Sequence, residues 1–324
     1  MPKTLIDISG MATIADVLPE FELHLKAAGR SPKTSQSYLE AARQFAHFLT
    51  ATGHSGELRR IRGADVDAFT VHLRELGRSS ATVRNRYASL QAFMKWALAA
   101  GELAKDPMAG TAKPHLDVVP VDFPSEAEIK ALLRVCEGPE RDFTDWRDSA
   151  LLRLFFDTGC RLSEIVGLKL HGKDDERDPG AGFLDLENNR VLVFGKGSKL
   201  RLVAFGTATR KALRQYLAAR EKHPHELADS DWLWLGGKGR PLTSSGAYQV
   251  FERRSRQAGT RALHPHMLRH ARAHDAMSHG MSDGDVLTMF GWSSRQMLQR
   301  YGSAMAEERS LESARRIGLP GDRL

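Results

Sequence analysis

Apolar residues recur through the first hundred positions at the three-and-four spacing of helices with one buried face, and a stop signal closes each run. The first pattern covers 14–28 and meets Gly29, a residue suited to a left-handed helix end. Ser31 and Pro32 restart the chain, as N-cap and first helical residue, into a pattern ending near Gly53. A third runs from about Ala64 to Gly77, and Ser79 or Ser80 caps a fourth that ends at Gly101. These signals predict a compact four-helix bundle over 1–104.

From 105 to 124 the helical period disappears, and Pro107, Pro114, Pro120 and Pro124 predict an extended linker. Ser125 and Glu128 then form an S-x-x-E capping box that opens a second domain, 125–324. A long helix through Trp146 to Asp157 follows, with the apolar run 150–156 buried inside it. Three short β-branched and apolar segments come next, at 183–186, 191–194 and 202–205. Asn188-Asn189 and Gly195-Lys196-Gly197 separate them, which predicts a small antiparallel sheet. Helical patterns resume at about 208 and continue to the end. The expected class is therefore mainly α with a small antiparallel β-sheet in the second domain, without internal repeats.

Charge adds a partner to this picture. The formal charge is +7 and the pI about 9.5, which favours a polyanion, because each phosphate met by Lys or Arg releases counterions. Arg59, Arg60, Arg62, Arg78, Arg84, Arg86 and Lys95 cluster in the second half of the bundle, where they suit a phosphate-facing surface or an ordinary solvated one. Two cysteines, Cys136 and Cys160, are too few for a disulfide framework, and the N-terminus carries no basic head with an apolar core. No apolar run approaches the roughly 20 residues of a spanning helix. A cytoplasmic protein without a membrane role is expected.

Candidate chemistry is spread across the second domain. In Thr158-Gly159-Cys160-Arg161-Leu162-Ser163-Glu164, Gly159 suits the end of one helix and Ser163 can cap the next, so Arg161 sits on a tight corner. In His264-Pro265-His266-Met267-Leu268-Arg269-His270, His266 and Arg269 stand three apart on one helical face. Phe290-Gly291-Trp292 precedes Tyr301, nine residues after Trp292. Singly, each has an ordinary reading: a packing tyrosine, a core tryptophan, an arginine at a helix C-terminus. His270 and His274 stand four apart, but no glutamate lies between them and no cysteine or carboxylate cluster completes a metal set. Both Gly-Lys pairs, at Lys196 and Lys238, are followed by Gly, so neither forms a nucleotide-binding phosphate loop.

Taken in order, these segments resemble the tyrosine recombinase, or phage integrase, family, in which a TGxRxSE box, a basic hairpin, an HxLRH box and a C-terminal LGH…Y box follow one another. The likeness covers 125 to about 316, and the N-terminal helices are similar to the family's core-type DNA-binding domain. The resemblance implies that Arg161 and Arg269 hold the non-bridging oxygens of a scissile phosphate, with His266 beside them as donor or proton acceptor. Lys196 matches the hairpin lysine that protonates the departing 5′ oxygen, with Lys199 and Arg201 near enough to be rivals for that position. Glu164 matches an acidic residue that orients basic neighbours. Trp292 stands where the family usually has a second histidine; its indole N–H donates but accepts no proton. Tyr301 is then the nucleophile of a 3′-phosphotyrosine link, which stores the bond energy, so that no nucleotide, metal or other cofactor is called for.

The implied partners are double-stranded DNA with short inverted-repeat sites, further copies of the chain forming a tetramer on two such sites, and accessory DNA-bending proteins. Contacts to DNA are assigned to Arg78, Arg84, Arg86, Lys95, Lys199 and Arg201, the two domains clamping the duplex. A segment at 306–316 is placed as the helix that family members exchange between protomers. The short stretch before the first helix leaves little room for an arm-binding domain, which points to integration or excision of a phage or other mobile element. Resolution of chromosome dimers is the alternative. Two further rivals are a non-catalytic DNA-binding regulator on the same fold and a type IB topoisomerase.

Overall fold

The computed structural model describes residues 12–117, 122–170, 182–195, 200–223, 231–292, 294, 298, 311, 314–318 and 321. The chain divides into two compact units, Met1–Val119 and Pro120–Leu324. The first holds four helices: α1 (Ile14–Ala27), α2 (Pro32–Ala51), α3 (Gly63–Glu75) and α4 (Ser80–Ala99). Their starts are fixed by side chains that accept an orphan backbone amide: Thr13, Ser31 and Ser79 cap α1, α2 and α4. The apolar stripes meet in an aromatic core, with Phe21 edge-on to Phe93 at 5.2 Å and Phe45 against Phe69 at 5.2 Å.

The extended linker expected from 105 begins later than its prolines suggest. Leu103 and Met108 are buried in the core of the first unit. The Tyr87 hydroxyl lies 2.6 Å from Thr111 Oγ1 and donates to the Thr111 carbonyl at 3.2 Å. Burial of two large apolar side chains holds this stretch on the helices despite Pro107.

The second unit contains α5 (Glu126–Arg134), α6 (Phe143–Thr158), α7 (Leu162–Val166), β1 (Leu168–Lys169), β2 (Gly182–Asp185), β3 (Arg190–Phe194), β4 (Leu200–Ala204), α8 (Thr207–Glu221), α9 (Ser244–Gln257), α10 (Pro265–Ser278) and α11 (Asp283–Phe290). The Ser125–Glu128 capping box is present at the start of α5. The three strands read from the sequence pair antiparallel, β2 with β3 and β3 with β4. A fourth, β1, adds to β2 in parallel and makes the sheet mixed. Two residues are too short for any period, so β1 carries no sequence signal.

Around the sheet, Leu151, Leu154 and Phe155 of α6 share a core with Val191, Val193 and Val203 of the strands, Tyr216 of α8, Phe251 of α9 and Leu268 of α10. Trp234 stacks on Tyr216 at 5.3 Å and donates its indole N–H to the Ile165 carbonyl at 2.8 Å. A buried ion network joins α6 to α9. Asp148, fully buried, accepts from Arg147 Nε at 2.9 Å, Arg254 Nε at 2.8 Å and Arg253 Nη2 at 2.5 Å. Arg261 binds Glu128 and the Phe123 carbonyl, both at 2.8 Å, and also pairs with Asp122, so the loop before α10 is tied to the entry of the unit. No helix among the described residues is long and apolar enough to cross a membrane.

Candidate active site

Two glycine turns, one after α6 and one after α11, face each other and build the site. Thr158 donates its hydroxyl to the Leu154 carbonyl at 2.6 Å, and Gly159 then leaves α6 in the left-handed region, φ +56°. A Cβ on Gly159 would come within 2.5 Å of the Phe290 ring, so conformation and space both demand glycine here. The reversal makes Arg161 the N-cap of α7. Ser163, expected as the cap, instead lies exposed inside the first turn, and Glu164 reaches back to accept the Arg161 amide at 2.7 Å. A carboxylate at the third helical position satisfies that amide more strongly than a hydroxyl would.

Gly291 closes α11 in the same left-handed way, φ +59°. Three arginines fasten its turn. Arg269, buried at 5 % exposure, donates to the Gly159 carbonyl at 2.6 Å and to the Phe290 carbonyl at 2.5 Å, so one guanidinium bridges both turns. Arg161 donates through Nη2 to the Gly291 carbonyl at 3.1 Å and through Nη1 to Glu164 at 2.9 Å. Arg201 donates through Nε to the Met289 carbonyl at 2.9 Å and grips both Glu164 oxygens, at 2.9 and 2.5 Å. Arg161 alone of the three is substantially open to solvent, with 33 % of its side chain exposed.

Electrostatics follow from this packing. Burial opposes the charge of Glu164, but hydrogen bonds from Arg201 and from the Arg161 amide and guanidinium win, and its carboxyl sits below the ordinary 4.5. Burial, together with the positive charge of Arg161, lowers Arg269 to about 10, so it remains a cation at neutral pH. Its guanidinium lies 5.2 Å from the Phe290 ring centroid and 5.6 Å from that of Trp292. Burial also raises the Cys160 thiol, which keeps it neutral beside Arg201.

Of the residues singled out in the sequence, Arg161, Glu164, Arg269 and Trp292 thus gather around one point. Trp292 is buried, stacked on Phe290 with ring centroids 5.0 Å apart, within a small cluster that includes Ala273, Met277 and Val286. His266 is exposed in the first turn of α10, its ring 6.3 Å from that of His270. His274 packs against Phe123 at 4.8 Å. Lys196, Lys199, Tyr301 and most of the 306–316 segment lie outside the described residues.

Arg201 overturns its assignment as a DNA contact: it is 8 % exposed and spent on Glu164, Met289 and Cys160. Pairing with Val193 in the β3–β4 ladder turns it inward, on the side of Val203, while Leu200 and Leu202 face out at 53 % and 55 % exposure. Alternation in Leu-Arg-Leu-Val suggests the opposite facing, and the buried carboxylate of Glu164 reverses it. In the first unit, Arg78 and Lys95 are exposed and Arg84 is half-buried. Arg86 also departs from its assignment: it is 17 % exposed and bound to Glu40 of α2 at 2.7 Å, so its charge is already matched.

Two family models cover most of the chain. Residues 123–308 match the phage integrase family, and 17–100 match the phage integrase N-terminal SAM-like domain. "Tyrosine recombinase XerC" of Corynebacterium efficiens is 31% identical over 307 residues, covering 89% of this chain and 93% of its own. The protein of the same name from Bacillus pumilus is 30% identical over 276 residues, 84% of this chain and 86% of its own. Among solved structures, XerH site-specific recombinase bound to palindromic difH substrate aligns with a TM-score of 0.67 at 19% identity, over 92% of this chain and 84% of its own. The Tn1549 transposon integrase in complex with a circular intermediate DNA gives 0.67 at 18%, over 92% and 99%.

Proposed function

The chain belongs to the phage integrase family, the tyrosine recombinases that cut and rejoin DNA, and on that premise we propose that it recombines two short inverted-repeat sites through a covalent link to Tyr301. The observation that carries this reading is the convergence of Arg161 and Arg269 on the Gly291 turn. A phosphodiester attacked in line gathers negative charge on its non-bridging oxygens, and two fixed guanidiniums stabilise that charge without reorganising. The turn they hold leads, nine residues after Trp292, to Tyr301.

In the proposed step, the Tyr301 hydroxyl oxygen bonds to phosphorus, the bond from phosphorus to the 5′ oxygen breaks, and a 3′-phosphotyrosine forms. His266 takes the phenol proton, and Lys196 supplies one to the departing 5′ oxygen. Attack by the 5′-hydroxyl of a partner strand reverses each transfer and frees the tyrosine. Four protomers on two sites complete both strand exchanges, with DNA-bending proteins as accessories. Trp292 serves as a wall that supports Arg269.

The element served is, in this reading, a mobile one that the enzyme integrates or excises. Resolution of chromosome dimers is the second reading, favoured by the name XerC on curated relatives matched along most of their length. A pool of nicked random-sequence duplexes tests the chemistry: wild-type protein should capture a subset as an adduct that survives denaturation, and Tyr301→Phe should bind that subset yet form no adduct. An adduct in the variant, or none in the wild type, contradicts the proposal. Captured sequences that map to the ends of the element carrying the gene support the mobile role, and a single chromosomal site supports the second.

A further inference from the structure

We infer that Arg201 is a positioning residue, whose forked bond to Glu164 occupies the buried carboxylate of the arginine cluster and thereby leaves the Arg161 guanidinium turned to a phosphodiester. This rests on the strand-transfer reading above. Arg201 takes both carboxylate oxygens, through Nη1 at 2.9 Å and Nη2 at 2.5 Å, whereas Arg161 takes one through its side chain, at 2.9 Å. A carboxylate held in a bidentate fork is satisfied in geometry and in charge. Arg161 accordingly keeps a third of its side chain open to solvent.

Count the charges gathered there. Among the described residues, Arg161, Arg201 and Arg269 stand against the single carboxylate of Glu164, which leaves an excess of two positive charges for an incoming phosphate and for what develops on it. With a neutral side chain at 201 the excess falls to one, and the freed half of the Glu164 carboxylate recruits Arg161 inward. A desolvated carboxylate without its partner is costly, so this recruitment is strongly driven. The harm of losing Arg201 therefore comes through Glu164, and neutralising Glu164 as well should relieve it. Arg201 also steadies the other wall of the site. Its Nε binds the Met289 carbonyl at 2.9 Å, and a Cβ on Gly291 would lie 3.1 Å from its Nη1, so the turn that accepts from Arg161 is packed directly on it.

The test is single-turnover adduct formation on a duplex captured from the random pool, alongside DNA affinity and thermal melting. Arg201→Gln should slow adduct formation by about 10²-fold, the scale of losing one preorganised donor, with DNA affinity little changed. The double variant Arg201→Gln/Glu164→Gln should be faster than Arg201→Gln by about tenfold, although it removes one more native interaction. Arg201→Lys keeps the charge but not the fork, so it should fall between wild type and Arg201→Gln, about tenfold down; it carries the test if Arg201→Gln melts below the assay temperature. Three results overturn the inference: Arg201→Gln cutting at the wild-type rate, a double variant no faster than the single one, or folded Arg201→Lys losing as much as a removed donor. A wild-type protein that forms no adduct overturns instead the reading on which the inference rests.

Discussion

Gly159 and Gly291 show how much chemistry depends on residues that carry none. Each stands in the left-handed region and each touches the cluster, Gly159 through the Phe290 ring and Gly291 through Arg201. Gly159→Ala combines the left-handed penalty with overpacking and should cost roughly 2–5 kcal/mol in denaturant unfolding; a loss under about 1 kcal/mol would show that Phe290 yields freely. Glu164 has a testable pH signature. Its carboxyl titrates below the ordinary 4.5, so it contributes stability that is present above that value and lost as pH falls through the folded-state value. The stability gap between wild type and Glu164→Gln should therefore narrow below pH 4.5, and a gap that stays constant into acid would contradict the ion-pair account. Arg161, Glu164, Arg269 and Trp292, which the order of the motifs singles out, lie together in the fold. The place of Arg201 among them is not legible in the sequence: nothing local marks an arginine whose partner lies 37 residues earlier.

Helices are legible in the sequence where capping chemistry and a one-face stripe agree, as at Ser31-Pro32 before α2 and Ser125–Glu128 before α5. Elements fixed by distant partners are less legible. The two-residue β1 is fixed by distant segments on both sides, β2 and 231–233, and 103–111 is held by burial rather than by its own period. The strand pattern of β4 is inverted by one buried ion pair. A second such network, Asp148 with Arg147, Arg253 and Arg254, holds α6 to α9. Asp148→Ala strips Arg147 of its carboxylate partner and leaves Arg254 only its pair with Asp145, both arginines being 3 % exposed, and should destabilise the fold by about 3–5 kcal/mol in urea unfolding. An effect within 0.5 kcal/mol, the usual range for a surface change, would mean that water or Asp145 compensates.

Across the whole molecule, a charge of +7 announces a polyanionic partner, but the sequence does not separate the cations that are free to meet it from those already matched. Arg84 and Lys95 lie eleven residues, or three helical turns, apart on α4 and share one of its faces, whereas Arg86 is bound to Glu40. Arg84→Gln and Lys95→Gln should each weaken DNA binding and reduce the salt slope of log K by about 1 in anisotropy titrations, with Arg86→Gln changing it less. Equal slopes for all three would undo this assignment.

In the proposed reaction one particular tyrosine carries the DNA. The chain has five. Tyr216 is fully buried and its hydroxyl is pushed up to about 12 by desolvation, while Tyr87 is buried against Thr111. Tyr38 is half-buried, packed against the core of the first unit, and Tyr248, 42 % exposed and stacked on His264, is the rival in the second. Nuclease trimming of the captured adduct, followed by proteolysis and mass spectrometry, reads the linkage directly. A 3′-nucleotide remnant is expected on the peptide containing Tyr301; a remnant on Tyr248, or on a serine, would rule out Tyr301 as the nucleophile.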